Sequence, residues 1–473
     1  MTEILPDGAP PFEVSPHVAH SQKHPPGLAV LVLTEGGVAF TLYGIQSLLV
    51  LYMENDALLP EHSAQIWGMS FFLPFIQSLY NAHSVAASAS ALMGLFLAAV
   101  YATPMLGGLI ADYWLGRKRM IILGAATLIA GVFMLAVEPL FLLALFCLLL
   151  GFGFLRGLLP AQLGALYQGE DPRRADAFQF FMLGVQMAVI VSPILCSSFA
   201  DRYGWAAGFL IAGIGVLAGL AVYVLGRHQL PPDPQHMQQS AANRPRLTPQ
   251  GTRAVLVLLA LLPVLAVVSV ANTEIFNGYL IWGERHYQLT FLGYEVPVSW
   301  LVSMDGLVST GTTLLIVWFW RVWARSRTVP NEIQKMVLGG GIASIGPIFL
   351  ALGSWLQPGP HQVNILWGIA FHLVNDIGFS LTYATGMALF SRAAPRAVNV
   401  TIVACYSLHL FLGNLFVGKL AGLLDFLSAS SFWLLHAGLS LGATLLLWLF
   451  ARFFKDVFAP PVFIRAGVDP SSI

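Results

Sequence analysis

Charge is what this chain has least of. Only 10% of its 473 residues are Asp, Glu, Lys or Arg, and 23 cations balance 23 acids. A soluble chain of this length cannot cover its surface with so little charge. Hydrophobic residues make up 57%, and the mean hydropathy of +0.74 excludes a soluble fold. No basic segment is present to neutralise phosphates, so a nucleic-acid partner is not expected. Cysteine is as scarce. Cys147, Cys196 and Cys405 stand in apolar runs without metal-ligand spacing, which argues against a disulfide framework or a zinc site. No nucleophile–base pairing is found either, so neither an enzyme nor a cofactor is expected. Residues 1–26 are rich in Pro and His but lack the charged-then-apolar order of a signal peptide, and are read as a cytoplasmic tail.

Long apolar runs are what the chain has instead. Twelve are long enough to cross ~30 Å of hydrocarbon. They cover Gly27–Met53, Val85–Ile110, Met120–Val137, Leu140–Tyr167, Ala177–Phe199, Trp205–Leu225, Ala254–Trp282, Val298–Trp320, Met336–Leu356, Val363–Phe390, Val398–Leu424 and Ser431–Phe454. A thirteenth stretch, Ile66–Tyr80, is short and contains Pro74. With twelve spans and both termini inside, 19 of the 23 Lys and Arg residues fall on the cytoplasmic side. A thirteenth span would destroy that bias, so Ile66–Tyr80 is read as an amphipathic or re-entrant piece of the first external loop. The Pro-, Gln- and Arg-rich segment 227–253 reads as a cytoplasmic linker. It divides an N-terminal half, 27–226, from a C-terminal half, 254–455, with 456–473 as a second tail. Trp282, Trp300 and Trp355 stand near the expected interfaces and read as membrane anchors.

Between the second and third spans the chain reads Gly107-Gly108-Leu109-Ile110-Ala111-Asp112-Tyr113-Trp114-Leu115-Gly116-Arg117-Lys118-Arg119. Gly107 and Gly108 allow a neighbouring helix to come close. Asp112 is suited to accept at a helix end, Gly116 supplies the positive φ of a tight reversal, and the three cations fix the loop as cytoplasmic. This order resembles the loop 2–3 signature of the major facilitator superfamily, in the form carried by its proton-dependent oligopeptide transporters. Further stretches support the resemblance. Gly151-Phe152-Gly153-Phe154-Leu155-Arg156 is similar to that family's fourth-helix G-x-G-x-x-K, with Arg for Lys. Phe291 to Trp300 followed by Ser303 is similar to the start of its eighth helix, and Ser391 to Pro395 and Gly413-Asn414 to later segments. The resemblance implies an all-α major facilitator fold of twelve helices in two six-helix halves. It also implies import of small peptides or peptide-like compounds by proton-coupled alternating access.

Where the family recognises peptides, the chain departs from its pattern. The first helix keeps Glu35, Phe40, Tyr43 and Gly44, but Val38, Ala39 and Leu42 replace an acid, an Arg and a Tyr. In the tenth helix Phe379 stands where the resemblance places the acid that meets a peptide amino group. A modified, carboxylate-bearing or metal-chelating peptide-like substrate is therefore expected. A proton-independent facilitator or exporter on the same scaffold is the alternative.

Ionisable groups inside the membrane cost ~2.5–3.5 kcal/mol each on insertion scales, so each requires a partner or a task. Glu35 and Arg156 are expected to pair across a water-filled cavity, with Arg156 suited to substrate carboxylate. Glu35, Asp305 and Asp376 are the proton-coupling candidates. Tyr43, Gln46, Gln186, Asn375 and Phe379 join Arg156 as substrate-binding candidates, and His372 shares a helix face with Asp376. The expected partners are a peptide-like small molecule, protons and the lipid bilayer. A monomer in a bacterial inner membrane is expected.

Overall fold

The computed structural model describes residues 23–111, 115–167, 171, 173–232, 247–291, 293–395 and 398–458. Asp112 and most of the expected linker lie outside the described residues. Twelve helices are long and apolar enough to cross a membrane: Gly27–Ala57, Val85–Gly108, Arg117–Leu135, Glu138–Ala165, Arg173–Tyr203, Trp205–Gln229, Pro249–Val268, Trp300–Trp323, Glu332–Leu356, Ile365–Ala393, Thr401–Asp425 and Ala429–Phe453. They are called the first to twelfth spans below.

Their ends carry the expected local chemistry. The Ser84 hydroxyl accepts from the Ala87 amide at the start of the second span, and Ser428 does the same for Ser431 at the twelfth. Asn331 and Gln334 form a reciprocal capping box at the ninth. Gly116 (φ 75°) makes the reversal into the third span, a conformation open to glycine without strain.

Packing follows an internal repeat. The first span lies against the fifth and sixth, the second against the fourth, and the third against the fourth and sixth. The seventh lies against the eleventh and twelfth, the eighth against the tenth, and the ninth against the tenth and twelfth. Adding six to each number of the first set gives the second, so two six-helix halves are related by a pseudo-twofold axis. Between halves, the second span packs on the eleventh and the fifth on the eighth, which are again equivalent contacts. Small residues permit the first of these. A Cβ on Gly94 would sit 2.6 Å from the Asn414 carbonyl oxygen and 2.8 Å from the Cα of Gly418.

The ends of the bundle differ. At the end away from the basic loops, one apolar cluster runs through both halves and includes Leu48, Tyr52, Ile275, Tyr279, Leu301 and Trp433. At the basic end the C-terminal half closes on a cluster of its own, with Leu261, Met336, Phe390, Tyr406 and Leu447. The halves therefore join at the end away from the basic loops, called the outer end below after the expected orientation.

Met69–Tyr80 is a separate helix too short to span. Ile76 and Tyr80 bury against Ala87 and Ala91 of the second span, while Phe71, Phe75 and Leu79 form an exposed apolar stripe at i, i+4, i+8. This is the amphipathic loop element expected from the sequence. The seventh span departs from expectation. One run to Trp282 was expected, but the helix ends at Val268, resumes over Val270–Glu274 and again over Gly278–His286. Trp282 is not an interfacial anchor: it is fully buried against Tyr279, Tyr287 and Trp433. Trp300 and Trp355 are exposed, as expected.

Candidate functional site

Arg156 ends the first helical segment of the fourth span (Phe141–Arg156), at a break before Leu158–Ala165. Its guanidinium lies over the Tyr101 ring at 5.2 Å, and Glu35, Tyr43 and Tyr383 are within its electrostatic reach. The expected Glu35–Arg156 ion pair does not form. Nη1 of Arg156 and Oε2 of Glu35 are each buried without a hydrogen-bond partner. The reason is local: the aromatic face of Tyr101 holds the guanidinium, and cation–π attraction in a desolvated site competes with a salt bridge. Phe379 stacks on Tyr383 (5.2 Å, 22°) and Tyr43 leans on Phe276 of the seventh span (6.0 Å). The result is one fixed cation among aromatic rings from both halves, with donor capacity left over. Guanidinium forks onto carboxylate or phosphonate oxygens, so this site suits an oxyanion beside a flat or apolar group.

A second polar cluster lies in the C-terminal half. His372 Nδ1 is 2.9 Å from Asp305 Oδ1, and its Nε2 is 3.0 Å from the Tyr279 hydroxyl, which is 3.1 Å from that of Tyr287. Asn375 donates to Asp376 Oδ1 at 3.3 Å, while Asp376 Oδ2 is buried without a partner. His372 thus bonds Asp305 across two spans and not Asp376 on its own helix face. Asn375 is committed to Asp376. Gln186 donates to Thr310 at 2.7 Å, joining the fifth and eighth spans. Gln46 is buried in the first span and makes no side-chain hydrogen bond among the described residues.

Of the loop residues, Gly107 is in close helix contact: a Cβ there would lie 2.4 Å from the Gly153 carbonyl oxygen. Gly108 has no atom within 4 Å of such a Cβ, so the close approach expected of both glycines belongs to Gly107 alone. Lys118 donates to the carbonyls of Arg227 (3.2 Å) and Leu230 (3.0 Å), tying the loop to the end of the sixth span. Arg117 begins the third span and Arg119 is exposed.

The outer end is latched by polar bonds between halves. Arg285 pairs with buried Glu54, and Asn55 donates to Glu284 (3.0 Å). Ser299 donates to the Ser47 carbonyl (2.7 Å) and Asn277 to that of Ser90 (3.1 Å). Lys419 donates to the Tyr80 carbonyl at 2.5 Å. Among the described residues, none of the hydrogen bonds, ion pairs or ring contacts joins the halves at the basic end. Among the described residues, the polar bonds between halves therefore gather at the end away from the basic loops.

Residues 62–418 match the sequence model of the Major Facilitator Superfamily. The chain belongs to the major facilitator superfamily. The peptide transporter YePEPT of Yersinia enterocolitica is 25% identical over 472 aligned residues, covering 84% of this chain and 88% of that protein. The di-/tripeptide transporter of Lactococcus lactis is also 25% identical, over 81% and 86% of the two chains. A solved POT peptide transporter in complex with alafosfalin superposes with a TM-score of 0.76 at 21% identity, covering 92% of this chain and 96% of that one. A POT family transporter in complex with 5-aminolevulinic acid gives 0.74 at 20%, covering 91% and 96%. These neighbours agree with the branch of the superfamily that the loop and eighth-helix motifs resemble, and the structural likeness carries the fold.

Several site residues in this superfamily member carried no sequence signal strong enough to select them. Tyr101 stands alone in an apolar run, whereas Tyr383 follows Phe379 by four positions, a helical stacking signal. Glu274 and His436 are fully buried and 3.0 Å apart, although 162 residues separate them. His436 Nδ1 faces the Phe432 carbonyl (2.8 Å) and must donate there, so one proton lies between its Nε2 and Glu274.

Proposed function

We propose that this chain imports small peptides or peptide-like compounds by proton-coupled alternating access, and that Arg156 holds the substrate's carboxylate or phosphonate. One observation carries the reading. Arg156 presents a buried, unpartnered guanidinium nitrogen inside an aromatic site shared by both halves. A buried donor without an acceptor costs about 1–3 kcal/mol, more when charged, and an oxyanion ligand removes that cost. The printed names of the relatives and the alafosfalin and 5-aminolevulinic acid bound to structural neighbours support this substrate class. Phe379 supplies an apolar wall and no charge for an amino group, which favours modified or chelating compounds over free dipeptides.

The joined outer end and separated basic end fit an inward-facing state. With both termini cytoplasmic in a bacterial inner membrane, substrate leaves toward the basic loops. The halves 27–226 and 254–455, the linker 227–253 and the gating role of the Gly107–Arg119 loop belong to the same reading, with a monomer as the working unit. Glu35, Asp305 and Asp376 are its candidates for the coupling acid. The losses at Val38 and Ala39 favour a second reading, a facilitator or exporter without proton coupling.

The test is a thermal-shift titration of purified protein with alafosfalin, 5-aminolevulinic acid, a dipeptide set and their esters. Stabilisation by the free acids, lost on esterification and in Arg156→Ala, supports the reading. Equal stabilisation by acids and esters overturns the role of Arg156.

A further inference from the structure

We propose that the buried cluster Asp305–His372–Asp376 is the coupling-proton site, gated by the contact between the fifth and eighth spans. The inference rests on the transport reading above and names the residues that bind the ion. The ligating atoms of the three side chains all lie within 4.8 Å of one another, and all three residues are buried. Among the described residues, no Lys or Arg is bonded to the cluster. Two carboxylates this close in a low-dielectric site repel each other, and a proton taken up by the cluster relieves that repulsion. Asp376 Oδ2 is buried without a partner, and a proton on that oxygen gives it a bond to donate toward Asp305.

The hydrogen bonds give the cluster a direction. With Asp305 ionised and His372 neutral, one assignment uses all three contacts: His372 Nδ1–H donates to Asp305, Tyr279 O–H donates to His372 Nε2, and Tyr287 O–H donates to Tyr279. In that assignment every hydrogen is used, and the unpartnered Asp376 Oδ2 is the acceptor left for an arriving proton. Among the described residues, Tyr279 of the helix Gly278–His286 and Tyr287 just after it are the other titratable groups that face the cluster. The ninth-span helix Gly346–Leu356, which packs on the tenth span, and the fifth-span residues around Val189 bring none. Glu274, on the neighbouring helical segment, is taken up by His436 and the Gly278 amide.

Gating follows from position. Asp305 retains about 11% side-chain exposure while His372 has none, so Asp305 is where water reaches the cluster. The next residue, Gly306, lies in the contact between halves, where an added Cβ would be 2.6 Å from Val189. One turn on, Thr310 receives the Gln186 bond that crosses the same contact. The eighth span cannot move against the fifth without changing the access of Asp305. One proton binds to Asp376 when Asp305 is open to one side, and leaves through Asp305 when it opens to the other.

The test is pH-difference infrared spectroscopy of purified protein in nanodiscs, which requires no substrate. A protonated-carboxyl C=O band that titrates in wild type is expected to be lost in Asp376→Asn and in Asp305→Asn. Asp305→Glu, which keeps the acid and moves it by one methylene, is expected to shift the band. His372→Gln, which removes the titratable ring, separates the cluster from its tyrosine chain and is expected to shift it as well. A band unchanged in all four variants overturns the proposal, with Glu35, Glu54 or Glu274 then holding the proton. Loss of the wild-type band on adding zinc or sodium chloride at fixed pH also overturns it, in favour of a metal-ion site. Because the spectrum is read without substrate, a failure of the import reading leaves this result standing. In proteoliposomes the Asn variants are expected to lose gradient-driven accumulation of alafosfalin while keeping exchange.

Discussion

Replacing Arg285 with Ala weakens the bonding between the halves at the outer end by a calculable amount. Arg285 bonds Glu54, whose side chain is 9% exposed, while Arg285 itself is 45% exposed. A hydrogen bond to a charged group contributes about 1.5–3 kcal/mol, and the half-exposed partner places this one at the low end. About 1.5 kcal/mol corresponds to roughly a tenfold shift in the equilibrium between outer-closed and outer-open states. The shift stays partial because Asn55–Glu284, Ser299–Ser47 and Asn277–Ser90 still join the halves. The assay is hydrogen–deuterium exchange read by mass spectrometry, comparing wild type and Arg285→Ala. Peptides over 53–59 and 278–286 are expected to exchange about tenfold faster. Exchange at the basic end of the third and ninth spans is expected to stay unchanged. No difference in the outer peptides, or an equal increase everywhere, refutes the latch.

Other outcomes follow from single contacts. Gly107→Leu drives a side chain into the Gly153 backbone and is expected to cost at least ~1–3 kcal/mol and to lower Tm, whereas Gly108→Ala leaves Tm unchanged. Lys118→Ala removes two carbonyl bonds to the end of the sixth span and is expected to speed amide exchange over 227–232. His62, on the outer loop, bonds Glu138 at 2.7 Å, and that bond raises its pKa above the ordinary 6.5. A raised value in the folded state stabilises below the ordinary pKa and is lost as pH rises through the folded one. The Tm difference between wild type and His62→Ala is therefore expected to be largest in mild acid, below 6.5 but above the ordinary carboxylate range, and to shrink as pH rises through the raised value.

The twelve spans were legible because hydrocarbon thickness imposes length, and the basic residues ordered them. Length, Pro74 and the charge bias set Ile66–Tyr80 apart from the spans, and its exposed Phe71, Phe75 and Leu79 stripe agrees. The break in the seventh span was not legible. Nothing at Ser269 or Asn277 marks it as proline would, and the Glu274–His436 contact beside it joins residues 162 apart. The Arg156 site was half legible. Arg156 stood out as a lone buried cation, but pairing it with Glu35 ignored Tyr101, whose ring competes for the guanidinium. Asp305 and Asp376 were separate candidates in sequence. Only the packing of the eighth span on the tenth brings them together and turns His372 toward Asp305.

Uptake of alafosfalin and a mixed peptide pool into proteoliposomes, read by mass spectrometry with and without an inward proton gradient, tests proton-coupled import most directly. Accumulation above the outside concentration only with the gradient, abolished by Arg156→Ala, is the expected result. Exchange without accumulation under any gradient contradicts proton coupling and leaves a facilitator.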